Sequence, residues 1–469
     1  MEYKDLKLIL DATDIKKAVD VLIGNRPPVA IADFKKQWEP AEHDILDIGK
    51  TPNKLVTYKD RETDKIQTKT VGINRIPIPA QKDIVKKAVA FLFDNDVEVS
   101  AETKDDNDIL LLSALKKILD DNKADSQNRV IAKNLFRSTQ VAEIWWAQTV
   151  EQHEDYGFSS KIRLRMSVFS PWNGDELFPY FDLRGDMVAF SRRFKIIDID
   201  NKEVQHFETY TEDYYYLWNT SGSDWGLIKR EPNLLKKIPV VYAEQDNTEW
   251  ADVQWAIDRL EKRFSKHGDT NDYNGDPIVV MEGDMVDMPD KEDAGKAFTV
   301  EKGGKLYYLS WDHAPESVRM EIENLFKVLD RYTQTPNITL DSIKGIGAVS
   351  GITLRFLFMD AHLKVLDKRE IFDPYLKRRA NLLKAFIAYI NSGLKTSAGR
   401  LNIKSKITPY TVPDPVERVN VLIAANGGKP IISQKAAVAE GAMTRDTDAD
   451  YQQILEESKE STAGIPFEL

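Results

Sequence analysis

Apolar residues recur at helical spacing over most of this chain, and one central block breaks that rhythm by alternating. Asp14 to Ile23 predicts a short helix, stopped by Gly24 and Pro27-Pro28. Ile84, Val85, Ala88, Val89 and Leu92 predict another over Lys82–Phe93. Between them, Val71–Ile78 alternates like a strand and ends at Pro79. Residues 105–150 predict helix, with one stripe through Leu110, Leu111, Ala114, Leu115, Ile118 and Leu119. A second stripe spans Ser126–Trp146 through Val130, Leu135, Val141 and Ile144. In 160–245 the period becomes two. Ile162–Phe169, Met187–Ile199, Gln205–Thr211 and Asp213–Trp218 are rich in β-branched and aromatic residues and predict a block of strands, closed by Pro232 and Pro239.

Helical periodicity then returns. Thr248–His267, with Thr248 at the N-cap, carries Trp250, Val253, Ile257, Leu260 and Phe264 at alternating spacings of three and four. That spacing predicts a helix packed lengthwise against another, ended by Gly268. Residues 269–312 are rich in Gly, Pro and acid, with short strands predicted at Ile278–Met281 and Lys305–Trp311. Pro315–Gln334 predicts a second helix, with Pro315 in its first turn and a stripe of Val318, Ile322, Leu325, Phe326, Leu329 and Tyr332. Helix, insertion and returning helix make a two-legged stalk with a small head. A Gly-bearing loop, Ile338–Ser350, leads into a long helical pattern from Ile352 to Ser392, which Pro374 should bend or split. The tail predicts a strand over Ile403–Thr411 and helices at Val416–Ala425, Ser433–Glu440 and Asp446–Ser461.

Composition narrows the class. With 42% hydrophobic and 10% aromatic residues in 469, the chain can build true cores in more than one domain. The absence of cysteine excludes disulfides, thiolate nucleophiles and Cys-ligated metals, and fits assembly in a reducing cytoplasm. No run of 18 apolar residues occurs and charges pervade Met1–Asp20, so a water-soluble chain without a signal peptide is expected. The net charge of −11 argues against gripping nucleic acid over the whole surface; on charge alone nucleic-acid contact is disfavoured, with an acidic wall that repels DNA and lets it slide left open.

Motifs for chemistry are missing. Gly345-Ile346-Gly347-Ala348-Val349-Ser350-Gly351 lacks the Gly-Lys-Ser/Thr ending of a phosphate-binding loop. His43, His153, His206, His267, His313 and His362 show no metal-ligand spacing, and no Gly-x-Ser-x-Gly occurs. The carboxylates of 269–312 form no calcium loop and read first as a solvated acidic surface. No catalytic residue, cofactor or metal is predicted. Two other readings stay open: a metal-dependent nuclease or phosphoryl-transfer enzyme built on those carboxylates, and an acidic cytoplasmic adaptor.

The order of parts resembles the portal proteins of tailed bacteriophages, in their siphophage branch. The resemblance is clearest from Lys237 to Tyr389. Ile238-Pro239-Val240-Val241 is similar to the strand entering the family's stem, and Ala256-Ile257-Asp258-Arg259-Leu260 to its first stem helix. Thr335-Pro336-Asn337-Ile338 resembles a Thr-Pro-Asp-Leu/Ile stretch, and Ser350-Gly351-Ile352-Thr353-Leu354-Arg355 the junction opening the long helix. Pro430-Ile431-Ile432-Ser433-Gln434 and Asp446–Glu456 resemble the family's C-terminal segments, and Asn74-Arg75-Ile76, Ile84-Val85 and Phe91 its early helix. Asn337 departs from the usual Asp and Thr353 from a small residue, and the first 70 residues match no quoted motif.

The resemblance implies an α+β, multi-domain portal fold assembled as a ring, twelve-fold in virions. It implies a wing (1–237), stem helices (238–268 and 312–335), a clip (269–311), a tunnel loop (336–351), a long kinked helix of the wing (352–392), a return to the wing (393–425) and a crown (426–469). Lys344, Gly345, Gly347 and Ser350 would face a DNA channel; Trp250, Val253, Ile257, Leu260, Phe264, Ile322, Leu325 and Leu329 would pack the stem. Implied partners are identical subunits, viral double-stranded DNA, the terminase large subunit, the major capsid or scaffold protein and a head-completion adaptor, with no membrane. The implied place is the capsid vertex of the virion, reached from the host cytoplasm, in genome packaging, head-tail joining and DNA ejection.

Overall fold

The computed structural model describes residues 3–10, 14–24, 26–60, 63–197, 201–221, 224–275, 278–282, 285–287, 299–300, 305–309, 315–336, 356–411, 415–441, 443–444 and 446–463. They form a mixed helix and sheet fold in two units, one of residues 1–335 with 360–409, the other of 336–359 with 410–469. The larger unit begins with α1 (Tyr3–Leu10), α2 (Ile15–Ile23), α3 (Ile31–Trp38), the hairpin β1 (Lys54–Lys59) and β2 (Ile66–Val71), α4 (Ala80–Phe93), β3 (Glu98–Ala101), α5 (Asp106–Asp121) and α6 (Ala124–Ser138). The strand block follows: β4 (Gln140–His153), β5 (Ser160–Phe169), β6 (Glu176–Phe181), β7 (Met187–Ile197), β8 (Glu203–Thr211), β9 (Tyr214–Ser221), β10 (Asp224–Pro232) and β11 (Val240–Glu244). Then come α7 (Gln254–Gly275), β12 (Ile278–Glu282), β13 (Met285–Asp287), β14 (Thr299–Val300), β15 (Lys305–Leu309), α8 (Pro315–Tyr332), α9 (Met359–Ile390), α10 (Lys395–Arg400) and β16 (Ile403–Lys406).

Strands β6 to β10 form an antiparallel meander in chain order, and β11, β4 and β5 a second antiparallel sheet. The meander's inner face, Phe178, Ala189, Phe207, Tyr216 and Trp218, is closed by Leu6 of α1 and Val19 and Leu22 of α2. Asp14 caps α2 by accepting the Lys17 N–H at 3.0 Å. The three-stranded sheet has its own core of Ala142, Ile144 and Val240, shared with Leu177 and Phe190. Helix α9 lies across the helical part of this unit. Its Phe372 meets Phe93 and Phe136 edge-on, at 5.1 and 6.2 Å between ring centres. The smaller unit packs α11 (Pro415–Asn426), α12 (Gln434–Gly441) and α13 (Thr447–Ala463) in sequence, with a Lys435–Asp448 ion pair at 3.0 Å.

Several expectations change. The strand expected over Val71–Ile78 belongs earlier: β2 ends at Val71, and Gly72–Pro79 runs without regular structure. Val141 and Ile144 lie in a strand rather than in the second helical stripe. Helix α6 stops at Ser138 because Thr139 takes a left-handed φ of 63° and donates its N–H to Leu135 O at 2.8 Å. The five residues from Val141 to Trp145 are buried on both faces, so no period was available to separate strand from helix. Pro374 does not split the long helix, since α9 is continuous from Met359 to Ile390. The tail strand is short, Ile403–Lys406, and pairs with β3.

A buried ion pair joins α9 to the sheet. Arg379 grips Glu143 with two N–H groups, at 2.7 and 2.5 Å, and gives a third to Asn128 Oδ1 at 2.7 Å. Trp145 Nε1 donates to the same carboxylate at 3.0 Å. A bidentate, fully hydrogen-bonded arrangement is what makes such a pair tolerable in the interior. Glu143→Gln should therefore cost about 3–5 kcal/mol of unfolding free energy by leaving Arg379 uncompensated. A paired Glu143→Met, Arg379→Met variant should lose much less, which urea unfolding of the three proteins would check.

Candidate functional site

Helices α7 and α8 lie on either side, in sequence, of the antiparallel pair β12–β15, in which Ile278 faces Leu309 and Glu282 faces Lys305. The two helices touch through Phe264 and Phe326, edge-on at 6.2 Å, and through Glu321, which pairs with Arg259 at 2.8 Å and Arg263 at 2.7 Å. Leu325 and Leu329 of α8 are buried, while Phe326 and Tyr332 are exposed. Trp250, Val253, Ile257 and Leu260 are fully buried within a single chain. Trp250 reaches into the body, where its ring lies 5.6 Å from that of Trp38 and its Nε1 donates to Gln37 Oε1 at 2.8 Å.

Gly268 does not end the first leg, which continues to Gly275. The glycine admits a neighbour: a Cβ there would lie 3.1 Å from Asn74 Nδ2. Asn74 is fastened by its N–H to Asp269 Oδ1 and by its side chain to Asp272 Oδ2, both at 2.6 Å. The start also differs, because Ala251–Val253 forms a 3₁₀ turn before α7 begins at Gln254.

The root of this pair is held by two buried ionic clusters. Glu249, just before α7, accepts from Lys364 at 2.8 Å and Lys368 at 2.6 Å, both on α9. Lys364 also donates to Thr333 O at 2.9 Å, just past the end of α8. One lysine thus ties the beginning of the first leg, the end of the second and the long helix. Burial works to raise Glu249, but the two lysines outweigh it and hold the carboxyl below its ordinary range. The second cluster fixes α7 to the N-terminal segment. His43 Nδ1 lies 2.5 Å from Glu261 Oε1 and its Nε2 lies 2.8 Å from Gln37 O. The Ile78 N–H adds a bond to Glu261 at 2.8 Å. Both ring nitrogens face acceptors, which an imidazolium satisfies by donating twice. The sequence flagged none of Glu249, Glu261, Lys364 or Lys368, whose partners lie 31 to 218 residues away.

Lys344, Gly345, Gly347 and Ser350 lie outside the described residues. Phe264 and Ile322 are half-buried on the two legs. Among the described residues no group of three His, Asp or Glu is placed to hold a metal ion, and no helix is long and apolar enough to cross a membrane. A cleft of about 670 Å³ beside Pro374 mixes Asp186 and Glu212 with Lys236, Lys237, Lys377 and Arg378.

The two helices are thus fastened to a long helix that is itself ion-paired to a sheet body within one chain. The chain belongs to the phage portal protein family of the SPP1 Gp6-like type, whose model matches residues 41–463. That family is structural rather than enzymatic. No curated protein matches the chain. Among solved structures, it is similar to a chain in the neck of a native GTA particle computed with C12 symmetry, at 11% identity and a TM-score of 0.43, covering 91% of this chain and 98% of that one. A chain in the neck of an empty GTA particle computed with C6 symmetry matches at 12% identity and 0.41, covering 78% and 89%. A third, in the virion of a native gene transfer agent particle, matches at 11% and 0.42, covering 91% and 98%.

The His43 cluster gives a pH signature. Burial opposes the imidazolium, but the hydrogen bond and charge of Glu261, with Gln37 O and Asp258, raise His43 above its ordinary 6.5. A raised folded value means that the stabilisation is complete below the unfolded value and is lost as pH climbs through the folded one. Wild-type thermal midpoints should therefore fall between pH 6 and alkaline pH by more than those of His43→Gln, a difference that calorimetry across the range reads.

Proposed function

We propose that this chain is a structural portal subunit, copies of which close into a ring, twelve-fold in the virion, around a channel for double-stranded DNA at one capsid vertex. The observation that carries the reading is the family match over residues 41–463. In this reading 1–237 is the wing, 238–268 and 312–335 the stem, 269–311 the clip, 336–351 the tunnel loop, 352–392 the long helix, 393–425 the return to the wing and 426–469 the crown. The packaging motor, the terminase large subunit, would dock on the clip and later give way to the head-completion adaptor, while the capsid or scaffold protein would meet the outer rim. Packaging, head-tail joining and ejection share that channel, and nucleotide chemistry belongs to the motor.

The exposed faces of the helix pair support association between copies. Trp255 of α7 and Met320, Phe326 and Tyr332 of α8 remain exposed after the two legs have packed together. Apolar surface of this kind is best covered by the same surface repeated about an axis.

Native mass measurement of purified protein should give a closed assembly near twelve times 53.5 kDa, with toroidal particles in electron micrographs. A single chain at every concentration would refute the ring, and turnover dependent on a divalent cation would favour a nuclease instead. Within the ring, Lys344 is proposed as a weak, non-specific contact to passing phosphate. Lys344→Glu should lower packaged DNA while leaving ring formation intact, read as DNA per particle.

A further inference from the structure

Positive charge gathers where α3, α4 and α6 meet the Pro171–Asn173 turn, on a chain of net charge −11. The Arg137 guanidinium lies over Trp172, 4.1 Å from the ring centre, and 5.7 Å from that of Trp38. Lys35 sits 5.7 Å from the Trp172 ring centre and Lys82 5.9 Å from that of Trp38. Lys133, one turn before Arg137 on α6, completes the group and is exposed.

These cations lack sufficient counter-charge. Lys82 pairs with Glu39 at 2.8 Å. Among the described residues neither Arg137, Lys133 nor Lys35 has a carboxylate within ion-pair distance. Arg137 gives one N–H to Asn134 Oδ1 at 2.8 Å, while its buried Nε has no acceptor. Burial, only partly offset by Glu39, brings Arg137 down to about 10, which still leaves it charged at neutral pH. Desolvation, with the repulsion of Arg137 and Lys82, likewise lowers Lys133. The indole faces attract the guanidinium through their quadrupoles, but they supply no acceptor in its plane, where its N–H groups point.

We infer that this patch is a contact between copies of the chain, in which a carboxylate of a second copy meets the solvent-facing part of the half-buried Arg137, with Lys133 and Lys35 flanking it. The inference rests on the ring reading above. Charge complementarity selects the occupant. A neighbour of net charge −11 brings carboxylates to any face it meets, and two such acidic chains repel unless one offers a cationic face. The form of the patch agrees. A half-buried Arg backed by two tryptophans is the composition of a protein–protein anchor, whereas a DNA backbone is tracked by a row of well-solvated cations.

The full-length assembly tests this directly. Zero-length carbodiimide coupling joins a lysine amine to a carboxylate it touches, and denaturing electrophoresis separates covalent dimers from monomers. Peptide mass spectrometry should find Lys133 or Lys35 joined to Asp or Glu in the dimer band and absent from the monomer band. A dimer band without either link overturns the inference. A second arm uses Arg137→Gln with Lys133→Gln, which leaves the tryptophan packing in place. If it is folded by circular dichroism, it should associate at least about tenfold more weakly than wild type, the effect of losing an interface anchor. Unchanged assembly of that variant, with wild-type rings intact, overturns this contact alone; failure of the wild type to associate overturns the ring and the contact together. A wild type that binds a short DNA duplex, lost in the variant while rings persist, would make the patch a nucleic-acid site and also overturn the proposal.

Discussion

Helix α9 carries three cations into the interior, and the arrangement of the larger unit depends on each meeting its carboxylate. Arg379 meets Glu143 on β4, and Lys364 and Lys368 share Glu249 at the entrance to α7. Such groups tolerate burial only when both charge and hydrogen bonds are satisfied, so the pairs act as position markers. A shift of α9 by a single residue would break all three together. The apolar contacts around them, Phe372 against Phe93 and Phe136 among them, supply cohesion but would tolerate small slips.

That constraint reaches the stalk. Because Lys364 binds both Glu249 and Thr333 O, the two legs of the helix pair start and finish on the same turn of α9. The His43–Glu261 pair adds a third anchor a few turns along α7, and Asn74 a fourth beside Gly268. The helix pair is thus tied to the body of the larger unit at several separate points. On a chain of net charge −11, a few cations are concentrated beside Trp38 and Trp172.

Elements with a clear period were legible. The strands from Ile162 to Trp218 and the helices over Lys82–Phe93 and Pro315–Gln334 were readable because each buries apolar residues on one side and leaves polar ones wet, whereas the three helices of the tail, with no buried residue among those described, were read from spacing and from Gly and Pro alone. The illegible parts share a cause. Val141–Trp145 is buried on both sides, so its pattern carried no period. The β1–β2 hairpin is exposed throughout and offered no hydrophobic signal. Gly268 looked like a stop because a glycine's local cost is visible in sequence, whereas the asparagine that needs the space is 194 positions away. Pro374 looked like a break for the same reason, and the packing of Phe372, Tyr375 and Leu376 carries the helix through it.

The sequence by itself determined the order of helix, insertion, returning helix, Gly-bearing loop and long helix, which is local information written in spacing and in Gly and Pro, and with it the motifs that carry the resemblance to portal proteins. Tertiary structure decided which charges are interior and with whom they pair, and where one leg of the stalk ends. Among the described residues it also left the buried Nε of Arg137 without an acceptor. Those outcomes turn on distances between residues far apart in the chain. A charge looks alike in sequence whether it will be solvated, paired or left waiting for a partner, because its energy is set by what folding brings beside it.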